Sequence, residues 1–228
     1  MPAAPTVNDY TFGFDTANTT STVVTTPANA AGDELVLFIS SDAGTQTFTD
    51  PTGLFTKEYN NVSLPSTAAT FALFKKTSNG SEPSTFSFDM GTPERQAYAF
   101  YAIRGGNVVN VKGTNASGTG TTATIPGLTT TVDNCLVFGA VITDGDTQPH
   151  GTTTDYSNQV QTGSSTASTL GLQYMTKTTA GAIADNTCTL NASQEWLGIS
   201  IAIEPASGGL IRPNKMDGLG NYFKGMDS

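Results

Sequence analysis

Short runs in which apolar and polar residues alternate recur along most of this chain. Phe86 and Phe88 stand between polar neighbours, and Ile199, Ile201 and Ile203 alternate with small residues. Alternation with a period of two, bounded by Gly, Pro, Asn and Asp, predicts β-strands. No segment of useful length repeats its apolar positions every 3.6 residues, so the pattern predicts an all-β protein with almost no helix.

Two of the predicted strands, around Leu35 and Ala97, are apolar on both faces. Such strands are expected at the centre of a sheet that is covered on both sides. Residues 7–15 alternate three aromatic residues with polar ones, which predicts a leading strand within an N-terminal segment, 1–20. Asn79-Gly80 supplies the positive φ that favours a hairpin turn.

The chain also repeats its own pattern. When residues 21–104 are laid over residues 121–204, "STVVTTPANAAGDELVLF" falls on "TTATIPGLTTTVDNCLVF", and "AYAFYAIR" falls on "GISIAIEP". We interpret this as an internal duplication of a unit of about five strands. Residues 21–205 are then expected to form one antiparallel, jelly-roll-like β-sandwich in which the two copies interleave. Two smaller domains are the alternative, and the Gly-rich residues 113–120 are expected to link the copies flexibly.

Composition and charge exclude some classes of partner. Apolar residues make up 37% of the chain and charged residues 13%, and 19 acidic against 10 basic side chains give a net charge of −9. An acidic chain is poorly suited to nucleic-acid phosphates or to anionic lipid. No stretch approaches the roughly 18 apolar residues that a membrane span needs. The first residues lack the basic start and apolar run of a signal peptide, so we expect a protein that is not secreted.

Candidate catalytic and metal-binding residues are few. His150 is the single histidine and follows Asp144 and Asp146, which raises a metal or acid–base hypothesis. Asp-Gly and Pro-His-Gly are also ordinary turn residues, and the glutamate of a calcium-binding EF-hand loop does not follow. We therefore expect His150 in an exposed loop, and we expect no catalytic residue, no metal site and no cofactor.

Two cysteines and one tryptophan leave alternatives open. Cys135 and Cys188 lie in strand-like runs, where buried free thiols are the first expectation and a disulfide between neighbouring strands is the second. Trp196 begins a strand, where a tryptophan more commonly anchors a core. An exposed Trp196 would instead suit a carbohydrate-binding module.

Residues 20–205 resemble a β-sandwich module that recurs in virion proteins of tailed bacteriophages. The likeness lies in Gly-Asp before the Leu-Val-Leu strand at 35–37, the Pro-x-Gly loop at 51–53 and the lysine-bearing strand "TFALFKKT". It continues in Gly-x-Glu-Pro-Ser at 80–84 ahead of Phe-x-Phe, and in the strand that ends Ala-Ile-Arg-Gly. Related modules occur in head decoration or cement proteins, head fibres and tail components. The resemblance implies binding and scaffolding and supplies no catalytic residues.

The resemblance implies a virion structural protein and not an enzyme. Our first expectation is a head decoration or cement protein that binds and stabilises the capsid. Its partners would be capsid or other virion proteins, and it would be a homo-oligomer on a particle assembled in the host cytoplasm. The alternative is a tail or fibre component, or a carbohydrate-binding module that recognises a receptor.

The last 23 residues break the strand pattern. Residues 206–228 scatter apolar groups among Gly, Pro and charges at neither helical nor strand spacing. Several glycines keep this backbone adaptable, and Pro213 prevents a continuous helix. We predict an extended C-terminal arm that anchors the sandwich to a partner. Its expected partner-binding residues are Leu210, Ile211, Arg212, Met216, Leu219, Tyr222 and Phe223.

Overall fold

The computed structural model describes residues 1–206 apart from residue 67 and residues 145–148, 151–154 and 164–167. The described residues form strands and turns and no helix, which confirms the all-β prediction. The strands are β1 (Thr6–Phe14), β2 (Thr19–Thr25), β3 (Glu34–Ser41), β4 (Thr56–Ser63), β5 (Thr70–Thr77), β6 (Thr85–Glu94), β7 (Gln96–Arg104), β8 (Gly106–Lys112), β9 (Ala116–Ile125), β10 (Leu128–Thr130), β11 (Cys135–Thr143), β12 (Pro149–His150), β13 (Ser157–Thr162), β14 (Thr169–Lys177), β15 (Gly181–Ile183) and β16 (Asn186–Pro205).

The first main sheet is antiparallel and orders its strands β1-β7-β3-β5-β4. Strand β3 lies between β7 and β5, and all of its residues are buried. Strand β7 is buried along its length except at Arg104. These are the two strands whose apolar residues occupy both faces, so their predicted central position is confirmed.

The second main sheet orders β12, β16, β11, β14 and β13, and both β8 and β9 also pair with β16. Strand β11 is buried throughout and lies between β14 and β16. All of these pairs are antiparallel. The long β16 therefore holds the second sheet together, because it pairs with four other strands.

The two main sheets pack face to face as a β-sandwich. One apolar core contains Val36, Phe38 and Tyr101 from the first sheet together with Phe138 and Ile201 from the second. The rings of Phe38 and Phe138 have their centroids 5.5 Å apart. A second core lies between the first sheet and the β2–β6 pair, and a third involves β9, β11, β15 and β16.

The two halves of the chain pair their strands in the same order. Phe38 of β3 lies opposite Leu73 of β5 and Ala99 of β7, while Phe138 of β11 lies opposite Tyr174 of β14 and Ile201 of β16. Each half supplies its own main sheet, so the predicted interleaving of the two copies is wrong. The correspondence is one of geometry, and an ancestral duplication stays a prediction, as does the jelly-roll description.

The predicted linker at 113–120 is also wrong. Residues from Ala116 belong to β9, and Gly118 pairs with Trp196 of β16. A Cβ at Gly118 would lie 2.7 Å from Cζ2 of Trp196, so this glycine permits close packing. The chain passes between the two main sheets at Gly105, where a φ of 70° turns β7 into β8.

Two local predictions in the first half also need correction. Gly80 has the expected positive φ of 82°, but it leads from β5 of the main sheet to β6 of a separate pair. The turn therefore connects two layers and does not close a hairpin. Strand β4 follows the Pro-x-Gly loop and was not predicted, because "TKEYNNVS" lacks clean alternation and pairs with β5 in an irregular register.

Candidate functional site

The seven predicted partner-binding residues, from Leu210 to Phe223, lie outside the described residues. The last of the described residues that precede them lie beside the turn after β7. Pro205 pairs with Gly106, and the Ala206 N–H donates to the Gly105 carbonyl oxygen at 2.6 Å. The predicted arm therefore starts beside the turn that ends β7.

Strand β1 presents three exposed aromatic side chains, which we call the aromatic stripe: Tyr10, Phe12 and Phe14. They are 42%, 53% and 44% exposed, respectively. The sequence predicted the strand from their alternation but not their exposure. Alternation shows only that the three side chains share one face of the strand. It does not show whether the opposite sheet covers that face.

Tyr10, the first residue of the aromatic stripe, packs against the core. The Tyr10 ring stacks on the fully buried Tyr101 ring at 5.6 Å and on Phe12 at 6.2 Å between centroids. Gly13 lies against Tyr98, where a Cβ would come within 2.9 Å of the ring. The Thr162 hydroxyl donates to the Gly13 carbonyl at 2.8 Å. The stripe is thus an ordered surface.

Strand β1 is also at the edge of its sheet. Within the described residues it pairs with β7 on one side and with no strand on the other. The Asp15 N–H donates to Gln96 O at 2.8 Å, and backbone groups alternate in direction along a strand. The N–H and C=O groups of Tyr10, Phe12 and Phe14 therefore face the open edge, as an added strand would require.

The charged residues that carry the family resemblance pair with one another. Arg104 Nε and Nη2 donate to the two oxygens of Asp33, both at 3.2 Å. Asp33 Oδ2 also accepts the Ala30 N–H at 2.9 Å. These contacts tie the turn before β3 to the end of β7, so Asp33 and Arg104 stabilise the fold.

A second pair, Lys76 and Glu82, is more deeply buried. Lys76 Nζ lies 2.6 Å from Glu82 Oε2, and the two side chains are only 10% and 2% exposed. Burial acts to raise the pKa of Glu82, but hydrogen bonds from Lys76 and from the Asn79 N–H outweigh it and hold that pKa below its usual value. Lys76 also lies over the Phe55 and Phe86 rings.

One pair of carboxyl groups lies at the ends of equivalent strands. Asp42 follows β3 and Asp144 follows β11, and their side chains share a hydrogen bond. Burial, the Asp144 contact and the charge of Glu94 raise the pKa of Asp42 to about 6, although Arg95 opposes the shift. The sequence places Asp144 close to His150 but gives no sign that Asp42 lies next to it.

The other predicted candidates have these positions. The backbone of His150 belongs to the short β12, paired with β16, so the prediction of a loop there is wrong. Trp196 is buried in the third core, as a core anchor would be. Cys135 and Cys188 are buried thiols that form no disulfide, and burial raises the pKa of Cys188 to about 11.

A surface cavity of about 460 Å³ lies beside the end of β16. Its walls include Met1, Pro2, Val132, Asp133 and Glu204. Both carboxylates already accept hydrogen bonds, Asp133 from the Ala180 N–H and Glu204 from two asparagine side chains. The two carboxylates in the wall of the cavity therefore already have hydrogen-bond partners within the protein.

Comparison of the chain with protein-family models, with curated proteins and with solved structures returned no match. Among the described residues, no three His, Cys, Asp or Glu side chains are grouped so that they could hold a metal ion. The same part of the chain contains no helix with the length and apolar character needed to cross a membrane.

Proposed function

We propose that this protein is a non-enzymatic structural component of a tailed-phage virion, and foremost a head decoration protein that binds and stabilises the capsid. One observation carries the proposal: the charged residues that resemble those of virion modules serve to hold the fold together. Asp33, Arg104, Lys76 and Glu82 form ion pairs that hold strands and turns together. The resemblance is therefore one of architecture, which suits a scaffolding protein.

The distribution of charge supports attachment through the C-terminal arm. Seven basic and seventeen acidic side chains precede residue 207, whereas three basic and two acidic ones follow it. The arm can approach an acidic neighbour with less repulsion than the sandwich would meet. Each large apolar side chain buried in a partner would contribute about 1.5–3 kcal/mol, less the cost of ordering the arm.

Attachment can be tested on particles that lack the protein. Full-length chain and a chain ending at residue 206, first checked for strand content by circular dichroism, are added back, and occupancy is measured after sedimentation at increasing salt. The proposal predicts that the shortened chain folds but detaches at lower salt. A Val23→Ser variant is the control, because Val23 is 59% exposed on β2 and is not part of the arm. Equal occupancy and salt resistance of the shortened chain would show that the arm is not the anchor.

The alternative is a carbohydrate-binding module that recognises a receptor. Such modules use flat, exposed aromatic faces, but Trp196, Tyr59 and Tyr156 are buried. Within the described residues, the aromatic stripe is left as the platform for a sugar ring. Binding on a glycan array, abolished by Tyr10→Ser, would favour this alternative.

A further inference from the structure

The aromatic stripe is a contiguous apolar surface on an open strand edge. Scattered exposed apolar residues are ordinary on a protein surface, but three neighbouring aromatics beside unpaired backbone groups mark a binding surface. We infer that, in the free protein, the aromatic stripe binds residues 207–228 of its own chain. The inference concerns the protein before attachment and does not depend on the virion proposal.

The end of β16 lies close to the start of β1, from which the arm could run along that strand. Thr6 at the start of β1 pairs with Arg104, and Ala206 is hydrogen-bonded to Gly105. A strand on the open edge of β1 would lie two inter-strand spacings from β7, or about 10 Å, and the next three residues, 207–209, span about 10 Å when extended. They suffice to carry the chain from the second sheet to the open edge of β1.

The length of the arm also suffices to cover the aromatic stripe. After the crossing by residues 207–209, Leu210 would be level with Thr6. An arm that runs beside β1 in the same direction then places Met216 level with Phe12. Phe14 lies about 27 Å from Thr6 along the strand, well within the reach of about 70 Å that 22 residues have.

Charge complementarity favours the arm over a second copy of the sandwich. The arm carries a slight excess of positive charge, while the sandwich is strongly negative, so two sandwiches repel where the arm is attracted. Pairing of two β1 edges would also bury too little surface. Three half-exposed aromatics provide about 300 Å² per copy, against about 800 Å² per partner in a stable interface.

Docking of the arm on the aromatic stripe would also protect the free protein from aggregation. An arm with several large apolar side chains would invite aggregation if it stayed in water. On the stripe, its apolar side chains and the three aromatics would cover one another until a partner competes for the arm.

Photo-crosslinking of the full-length protein tests the inference. Benzoylphenylalanine replaces Phe12 in one sample and Val23 in the control, and the labelled protein is mixed with an isotopically heavy copy before irradiation. We expect position 12 to cross-link to residues 207–228 within the same molecule at least tenfold more than position 23 does. Absence of that preference, or cross-links chiefly between light and heavy copies, would overturn the inference.

Hydrogen exchange gives a second measurement without a new side chain. In the full-length protein, Phe12→Ser should speed exchange of amides in residues 210–223 by at least tenfold, and Val23→Ser should leave it unchanged. Equal exchange in both variants would contradict docking on the aromatic stripe. Because both experiments use the isolated protein, their failure would leave the test of attachment to particles unaffected.

Discussion

At the scale of single residues, the buried charged groups of this protein act in pairs that hold the fold. Lys76 and Glu82 show this most clearly, because both are nearly inaccessible and 2.6 Å apart. Lysine and glutamate are rarely buried unless they are paired. Removing one partner leaves the other as an uncompensated charge in an apolar surrounding.

We predict that Lys76→Met lowers the free energy of unfolding by about 3 kcal/mol, as measured by urea denaturation. Lys112→Met is the matched control, since Lys112 lies 3.5 Å from Glu58 and its side chain is 43% exposed. A surface pair of this kind contributes about 0–1 kcal/mol. If both variants lose the same free energy of unfolding, burial does not determine how much the Lys76–Glu82 pair contributes to stability.

Asp42 should make stability depend on pH. Its pKa is raised from 3.8 to about 6, so the folded protein holds this proton more tightly than the unfolded chain does. The contribution to stability is therefore fully present below about pH 4 and is lost as the pH rises to about 6. Asp42→Asn should raise the melting temperature at pH 7 and leave it unchanged near pH 4.

Asp50 provides a control of opposite sign. Burial acts to raise its pKa, but hydrogen bonds from Thr52 and from the Phe55 N–H outweigh this and lower it. Asp50→Asn should therefore lower the melting temperature at pH 7, with the difference shrinking as the pH falls through the carboxylate range. If Asp42→Asn also lowers the melting temperature at pH 7, the contact between the Asp42 and Asp144 carboxyl groups does not destabilise the fold.

At the scale of elements, hydrophobic pattern predicted the strands that carry a clear run of apolar residues. Strands β3 and β7 were placed correctly, because a run of apolar residues on both faces requires a covered, central position. Strand β4 was missed and residues 116–120 were assigned to a linker. Both segments are polar or Gly-rich, and they become strands through pairing with distant partners, β5 and β16.

The candidate site was predictable only in part for the same reason. Alternation in β1 identified Tyr10, Phe12 and Phe14 as one face of a strand. Their exposure follows from the opposite sheet, whose strands come from residues about ninety or more positions later in the chain. The pairing of Asp42 with Asp144 likewise depends on the meeting of two strand ends, which local sequence does not encode.

At the scale of the whole molecule, the two halves share one core. Phe38 and Phe138 are in contact across the sheets, and both are almost completely inaccessible. A half that unfolded alone would expose the inner face of the other. We therefore expect the halves to unfold together, as a domain with one continuous core does.

Phe38→Ala tests this expectation. Loss of a buried phenylalanine should lower the free energy of unfolding by about 3–5 kcal/mol. Trp196 lies in the other half of the chain, so its fluorescence reports on residues far from the substitution. The midpoint of the Trp196 transition should shift together with that of the circular-dichroism signal. A Trp196 transition that does not move would show two independent domains.

We propose that the protein is part of a virion and lies on its head. Electron microscopy of purified phage particles from cells that produce the chain, labelled with an antibody raised against the sandwich, tests this proposal most directly. The account predicts regular labelling over the head surface. Label confined to the tail or fibres would contradict the head assignment, and unlabelled particles that contain none of the protein would contradict a virion role altogether.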